Sequence, residues 1–324
     1  MLLWFYVPIL VLLIQIYFKL AIKFNIIDHP NHRSSHSKGT IRGAGIIFPI
    51  ALFLQFLIID FQYPFFILGL MIISLVSFYD DFFPLSNKIR LVVHLVAVSL
   101  LFIQLGLLDW PLWIITLVYI LVVGTINAYN FMDGINGITG AYSLITILCL
   151  FLINERYEAF INSEWLIVSI LALMVFNFFN FRSKAKCFAG DVGSVGMAFI
   201  IIFFILQLIL TTGDLKYITF LLLYGLDTVT TIVFRLIRRE NIFVAHRTHF
   251  YQHLANVKKW PHLSVSALYL VAQLIVNIMI IYLEWNSGAF VILILLVGFL
   301  FVGLRFAVEG KRLLLERGLA NQEI

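Results

Sequence analysis

Val195-Gly196-Met197-Ala198-Phe199-Ile200-Ile201-Ile202-Phe203-Phe204-Ile205-Leu206-Gln207-Leu208-Ile209-Leu210-Thr211-Thr212 contains no charged side chain, and Gly190-Asp191-Val192-Gly193-Ser194 stands directly before it. A run of this length and oiliness predicts a membrane helix, since roughly 20 residues at 1.5 Å each cross a hydrocarbon core of about 30 Å. Comparable spans recur at 1 to 22, 44 to 60, 65 to 79, 91 to 108, 111 to 127, 138 to 153, 165 to 180, 217 to 234, 264 to 283 and 287 to 308, about eleven in all. The chain has 324 residues, 62% of them hydrophobic and only 12% charged, and no soluble domain needs that much apolar surface. The expected fold is therefore all-α: one polytopic transmembrane domain over residues 1 to 324.

The first span reaches Lys19 and Lys23 without a small-residue cleavage site, so it is expected to be a retained helix rather than a signal peptide. Cys149 and Cys187 offer neither a disulfide framework nor metal-ligand spacing. With alternating threading, the odd-numbered connections collect nearly all the basic residues: Lys23, Arg33, Lys38 and Arg42; Lys88 and Arg90; Arg182, Lys184 and Lys186; Arg235, Arg238, Arg239, Arg247, Lys258 and Lys259. The tail adds Arg305, Lys311, Arg312 and Arg317. The opposite side has Arg156 and Lys216 beside seven acids from Asp60 to Glu284. The positive-inside rule then places the N-terminus outside and the C-terminus in the cytoplasm. Net charge +5 is explained by this topology and by anionic headgroups, without nucleic acid as a partner.

The same threading sorts the polar clusters at 28 to 45, 80 to 90, 127 to 137, 180 to 194 and 235 to 253 onto the cytoplasmic side, which predicts one site built from several loops. Asp80 and Asp81 close an apolar helix, with Lys88 and Arg90 following. Neighbouring helical residues differ by about 100°, so only one of the two acids can aim squarely at a given centre. Asn127, Asn130 and Asp133 are spaced to form a ladder on one helix face, followed by Gly134 and Gly137 for a tight turn. Asp191 sits between two glycines where backbone amides could meet a phosphate and a carboxylate could hold a hard cation. In the last long loop, His246-Arg247-Thr248-His249-Phe250-Tyr251-Gln252-His253 could clamp a diphosphate. Arg33, Lys38 and Arg42 add positive charge near the start, and Asp227 is an acid inside an apolar span. Bland readings exist for each piece: solvated helix ends, amide glue between helices, a wet loop. Carboxylates for a cation, basic groups for phosphates and an oily wall beside both suit phosphoryl transfer from a nucleotide to a lipid.

Asp28-x-Pro30-x-x-Arg33-x-x-His36, Arg42-Gly43-x-Gly45, Asp80-Asp81 with Arg90, Asn127-x-x-Asn130-Phe131-x-Asp133-Gly134-x-x-Gly137, Phe188-x-Gly190-Asp191-x-Gly193-Ser194 and the His-rich loop together resemble the polyprenyl-phosphate N-acetylhexosamine-1-phosphate transferases. The motifs occur in that family's order over most of the chain. The resemblance implies a multi-pass enzyme of the bacterial inner membrane with its site on the cytoplasmic face. It implies transfer of a sugar 1-phosphate from a UDP-N-acetylhexosamine to polyprenyl phosphate, dependent on Mg²⁺ with Mn²⁺ as a substitute, and a homodimer as an admissible assembly. It further implies that Asp80 or Asp81 prepares the lipid phosphate and that Asp191 binds the metal, with Asp133 and Asp81 as further metal-site residues. Asn130 and Asp133 would help position metal and nucleotide, Arg33, Lys38, Arg42, Arg90 and Asn127 would bind substrate, and Arg247 and His249 would hold the donor's phosphates.

His249-Phe250-Tyr251-Gln252 departs from the three consecutive His of the peptidoglycan-precursor branch and is closer to the branch that initiates O-antigen and other surface glycans. Tyr251 and Gln252 are accordingly expected to read the donor. The competing class is a cation-coupled secondary transporter, which would place ionisable residues near mid-bilayer and on both faces.

Overall fold

The computed structural model describes residues 5–28, 39–242, 244, 246–285 and 287–316. Its helices are α1 (Tyr6–Lys23), α2 (Ile47–Ile58), α3 (Pro64–Asp80), α4 (Asn87–Leu105), α5 (Leu112–Met132), α6 (Ile138–Arg156), α7 (Ser163–Asn180), α8 (Gly190–Thr212), α9 (Leu222–Ile237), α10 (Phe250–Gln252), α11 (His262–Tyr282), α12 (Ser287–Glu309) and α13 (Lys311–Leu315). Two short strands, β1 (Ile27–Asp28) and β2 (Thr40–Ile41), pair antiparallel. Among the described residues nine helices are long and apolar enough to cross a membrane, and Ala44–Ile58 and Pro64–Asp80 are shorter apolar helices. They coincide one for one with the spans expected from sequence.

The central post is α8, buried along almost all its length from Val192 to Leu208. It packs against α2, α3, α5 and α6, and Phe66 of α3 stacks on Phe203 with ring centroids 3.9 Å apart. Close packing of this kind, rather than expulsion of water, holds helices together in lipid. Outward-facing apolar side chains such as Phe299, 82% exposed, present the surface lipid requires.

Three of the boundaries that differ from the sequence expectation matter for the site. The post helix begins at Gly190, not 195, so the Gly-Asp-x-Gly-Ser run forms its first turns. Its small residues admit a close neighbour there: a Cβ on Gly45 would lie 2.2 Å from the Gly193 Cα. α4 starts at Asn87, with the Ser86 hydroxyl accepting from the Ile89 amide as an N-cap, which puts Arg90 on the helix. α5 continues to Met132, carrying Asn127 and Asn130 on its last turns and leaving Asp133 as the first residue beyond.

One charge needs a different explanation from topology. Arg305 belongs to α12, not to a tail, and is 1% exposed. Its guanidinium pairs with Glu309 at 2.7 Å and donates to the Thr230 and Thr231 hydroxyls and to the Thr248 carbonyl. The last long helix is thereby tied to α9 and to the His-rich loop.

Candidate functional site

Backbone hydrogen bonds bring the first polar loop to the start of α8. The Phe188 amide donates to the Ile41 carbonyl at 2.7 Å, and the Ala44 and Gly45 amides donate to the carbonyls of Phe188 and Ala189. Tyr17 of α1 fixes the same turn by donating to the Arg42 carbonyl, and Gly43 meets the turn's demand for positive φ at +77°. Arg42 is thus delivered between two acids from distant segments, 2.7 Å from Asp81 and 3.2 Å from Asp191. Asp81 also accepts from the backbone amides of Asp191 and Val192, the first turn of α8. A second set of bonds ties the turn after α5 to the approach of α8. Asn180 accepts from the Gly137 amide and donates to the Cys187 carbonyl, and Asn136 donates to the Arg182 carbonyl.

These ties enclose a cavity of about 80 Å³ lined by Val76, Ser77 and Asp80 of α3, Arg90, Val93 and His94 of α4, Asn127, Asn130 and Phe131 of α5, and Asp191 and Val195 of α8. Five residues expected from sequence, Asp80, Arg90, Asn127, Asn130 and Asp191, therefore share one wall. Arg90 grips Asp80 through two nitrogens, at 2.6 and 2.9 Å, and the Leu85 amide donates to the same carboxylate. Of the adjacent acids, Asp80 faces the cavity. The Asp81 side chain is 0% exposed and turned to Arg42 and the α8 amides, as the 100° offset between neighbours requires.

Among the described residues the site is short of positive charge. Asp81 and Asp191 share the single guanidinium of Arg42. Burial pushes the Asp81 carboxyl up to about 7, with the charge of Asp191 acting in the same direction and Arg42 opposing it. Asp133, just past α5, is raised to about 6, chiefly by burial and further by Asp191. Among the described residues no three His, Cys, Asp or Glu side chains gather as a closed metal cage.

The His-rich loop reaches the site through α5. The Tyr251 hydroxyl donates to the Phe131 carbonyl at 2.8 Å, and a Cβ on Gly134 would strike that hydroxyl at 2.2 Å. Phe131 lies about 6 Å from the rings of both His246 and His249, which stack on each other. Asp227, 0% exposed, anchors this loop by accepting from the amides of Phe250 and Tyr251, from the Tyr269 hydroxyl and from His249 Nδ1. His249 Nε2 is buried and has no hydrogen-bond partner among the described residues. Tyr251 is itself 0% exposed, and Gln252 closes a capping box with His249, so both stand behind the site as supports for the loop. Arg247 is half-buried in the same loop. Arg33 and Lys38 lie outside the described residues.

Sequence reasoning missed His94 and Ser77. His94 follows Arg90 by four residues and so shares its helix face, and an ionisable residue within an apolar span was itself a signal.

The profile of glycosyl transferase family 4 matches residues 63–209. The chain is 30% identical over 258 residues to the undecaprenyl-phosphate alpha-N-acetylglucosaminyl 1-phosphate transferase of Thermotoga maritima, covering 76% of this chain and 78% of that one. It is 26% identical over 276 residues to a probable undecaprenyl-phosphate N-acetylglucosaminyl 1-phosphate transferase of Bacillus subtilis, covering 78% and 76%. A phospho-N-acetylmuramoyl-pentapeptide-transferase of Halalkalibacterium halodurans is 27% identical over 198 residues, covering 50% and 60%.

Proposed function

This chain belongs to glycosyl transferase family 4, and from that membership we propose that it transfers an N-acetylhexosamine 1-phosphate from a UDP-sugar to undecaprenyl phosphate, releasing UMP, at the cytoplasmic face of a bacterial inner membrane. The observation that carries the reading is the convergence of Asp80, Arg90, Asn127, Asn130 and Asp191 on one cavity at the ends of four apolar helices. Water-soluble donor and bilayer-bound acceptor can meet only at such a border. The basic residues of the connections that build this end support a cytoplasmic site with the N-terminus outside, by the positive-inside rule.

An oxygen of the lipid phosphate attacks the phosphorus bonded to the sugar. The bond from that phosphorus to the oxygen shared with UMP breaks, and UMP leaves. Asp80, on the cavity wall and aligned by Arg90, receives the acceptor's proton. Asp81 holds the first turn of α8 in place, and Arg42 spans Asp81 and Asp191. His249, fixed through Nδ1 by Asp227, stacks on His246 and holds the loop in place, and Arg247 supplies the planar cation for the donor's phosphates.

Mg²⁺ fits the residues present. It takes oxygen ligands, commonly one or two carboxylates, and completes its shell with water and substrate phosphates. Asp191 with Asn130 at its side and Asp133 nearby supply oxygens, and the surplus negative charge left by one arginine between two aspartates favours a cation. Asp191 and Asp133 would hold the ion, with Mn²⁺ able to replace it. Bound there, it would neutralise charge on the reacting phosphates.

The carrier alternative has no support: the intramembrane acid Asp227 is sealed from solvent and occupied in anchoring a loop. Purified protein incubated with a panel of radiolabelled UDP-N-acetylhexosamines, undecaprenyl phosphate and Mg²⁺ is expected to give an organic-extractable labelled lipid. No such lipid from any donor of the panel would refute the assignment. Within it, a role in starting O-antigen or another surface glycan follows the His249-Phe250-Tyr251-Gln252 pattern.

A further inference from the structure

His94 is 7% exposed, and the surface it retains opens into the cavity it lines. Four of its polar neighbours there are engaged. Arg90 and Asp80 neutralise each other through two contacts, Asn127 donates to the Val123 carbonyl, and Asp191 is paired with Arg42. The His94 imidazole makes no hydrogen bond among the described residues. Its ring nitrogens are not sealed in the core but keep access to the cavity, where a ligand can pair with them.

Its position shows which ligand. His94 lies one turn, about 6 Å along the axis, deeper into α4 than Arg90. The three valines of the cavity wall, Val76, Val93 and Val195, belong to the same three helices as Asp80, His94 and Asp191. The His-rich loop and Phe131 close the site from α5. A uridine diphosphate has no use for a valine-lined recess, whereas a phosphate joined to an apolar chain places its oxygens against the ring and its first carbons against the valines.

We propose that His94 is a binding residue for the acceptor, its imidazole N–H donating to an oxygen of the lipid phosphate. This rests on the transferase reading for the identity of the acceptor, yet binding alone can test it. Detergent-purified wild type, His94→Leu and His94→Gln are titrated with undecaprenyl phosphate, undecaprenol, inorganic phosphate and UDP, with binding followed by calorimetry. His94→Leu is expected to weaken undecaprenyl phosphate about tenfold or more, the loss of a hydrogen bond to a charged group. Undecaprenol and UDP affinities stay as in wild type, and His94→Gln, whose amide can donate from a similar place, keeps undecaprenyl phosphate within about threefold.

Unchanged undecaprenyl phosphate affinity in His94→Leu overturns the proposal, and so does an equal loss of undecaprenol, which would mark a packing role. Loss confined to inorganic phosphate or UDP overturns it in favour of the donor side. UDP binding reports that the site is intact, and His94→Phe, which refills the space, replaces the leucine variant if that one does not fold. A wild type that binds undecaprenyl phosphate in a His94-dependent way but makes no lipid product would refute the transferase reading and leave this inference standing.

Discussion

Asp227→Asn changes little volume but removes the acceptor on which the His-rich loop hangs. Asp227 accepts at one oxygen from the Phe250 amide at 2.9 Å and from His249 Nδ1 at 3.3 Å, and at the other from the Tyr251 amide at 3.2 Å and the Tyr269 hydroxyl at 2.5 Å. An asparagine keeps one carbonyl oxygen for Phe250. Its NH₂ group then faces the Tyr251 N–H, and two donors cannot pair. The Tyr269 hydroxyl can rotate to accept instead, so the uncompensated losses are one buried amide, about 1 to 3 kcal/mol, and the ionic character of the contact with His249, about 1 kcal/mol more. The docked loop should lose about 2 to 4 kcal/mol, roughly 30-fold to 1,000-fold in its docked-to-undocked ratio. Steady-state kinetics with varied UDP-sugar should show KM for the donor raised by at least tenfold, with KM for undecaprenyl phosphate near wild type, and thermal unfolding in detergent should shift downward. A variant with wild-type donor KM and unchanged unfolding would refute the assignment of Asp227 as the loop's anchor.

Gly45→Ala should abolish activity and cost about 3 kcal/mol or more, because its Cβ would meet the Gly193 Cα at 2.2 Å, backbone against backbone; Gly124→Ala, with nothing within 4 Å of its new methyl, should stay active and be at least as stable. Paired thermal unfolding and transfer assays check both. His246 is held down to about 3, first by burial and then by the charges of His249 and Arg235. Between about 6.5 and 3 the folded chain thus binds fewer protons than the unfolded one, and stability should fall as pH drops through that window. His246→Gln should flatten unfolding curves measured from pH 7 downward, and an equally steep loss in the variant would contradict the assignment. Chelation of divalent cations should stop turnover and added Mg²⁺ restore it. Asp191→Asn should be inactive though inserted in the membrane, and wild-type turnover in it would discard its metal role.

The bundle was legible because apolar runs of helical length have no other use, and the spans fell where the helices lie. The wall of the site was legible for a related reason: acids, amides and glycines at the ends of such runs carry a cost that packing alone does not return. The start of α8 was hidden because Gly190-Asp191-Val192-Gly193-Ser194 has the composition of a turn. Only the approach of Gly45, fixed by bonds to Phe188 and Ala189, shows why small residues stand inside a helix. Arg305 looked like a topology charge because its partners, Thr230, Thr231 and Thr248, are distant in sequence. Tyr251 was visible as a loop residue, but its burial against Phe131 and Gly134 depends on the fold of α5. His94 stands alone among apolar neighbours in the sequence, and only the approach of three other helices shows that it lines the site.

If loops from distant segments hold a nucleotide sugar against a lipid phosphate, phosphorus, and not the sugar alone, changes partners. Following radiophosphorus from UDP-N-acetylglucosamine labelled separately at the α and β positions tests this directly. β label is expected in the undecaprenyl product and α label in UMP; β label recovered in UDP or inorganic phosphate, with none in the lipid, would contradict this transfer.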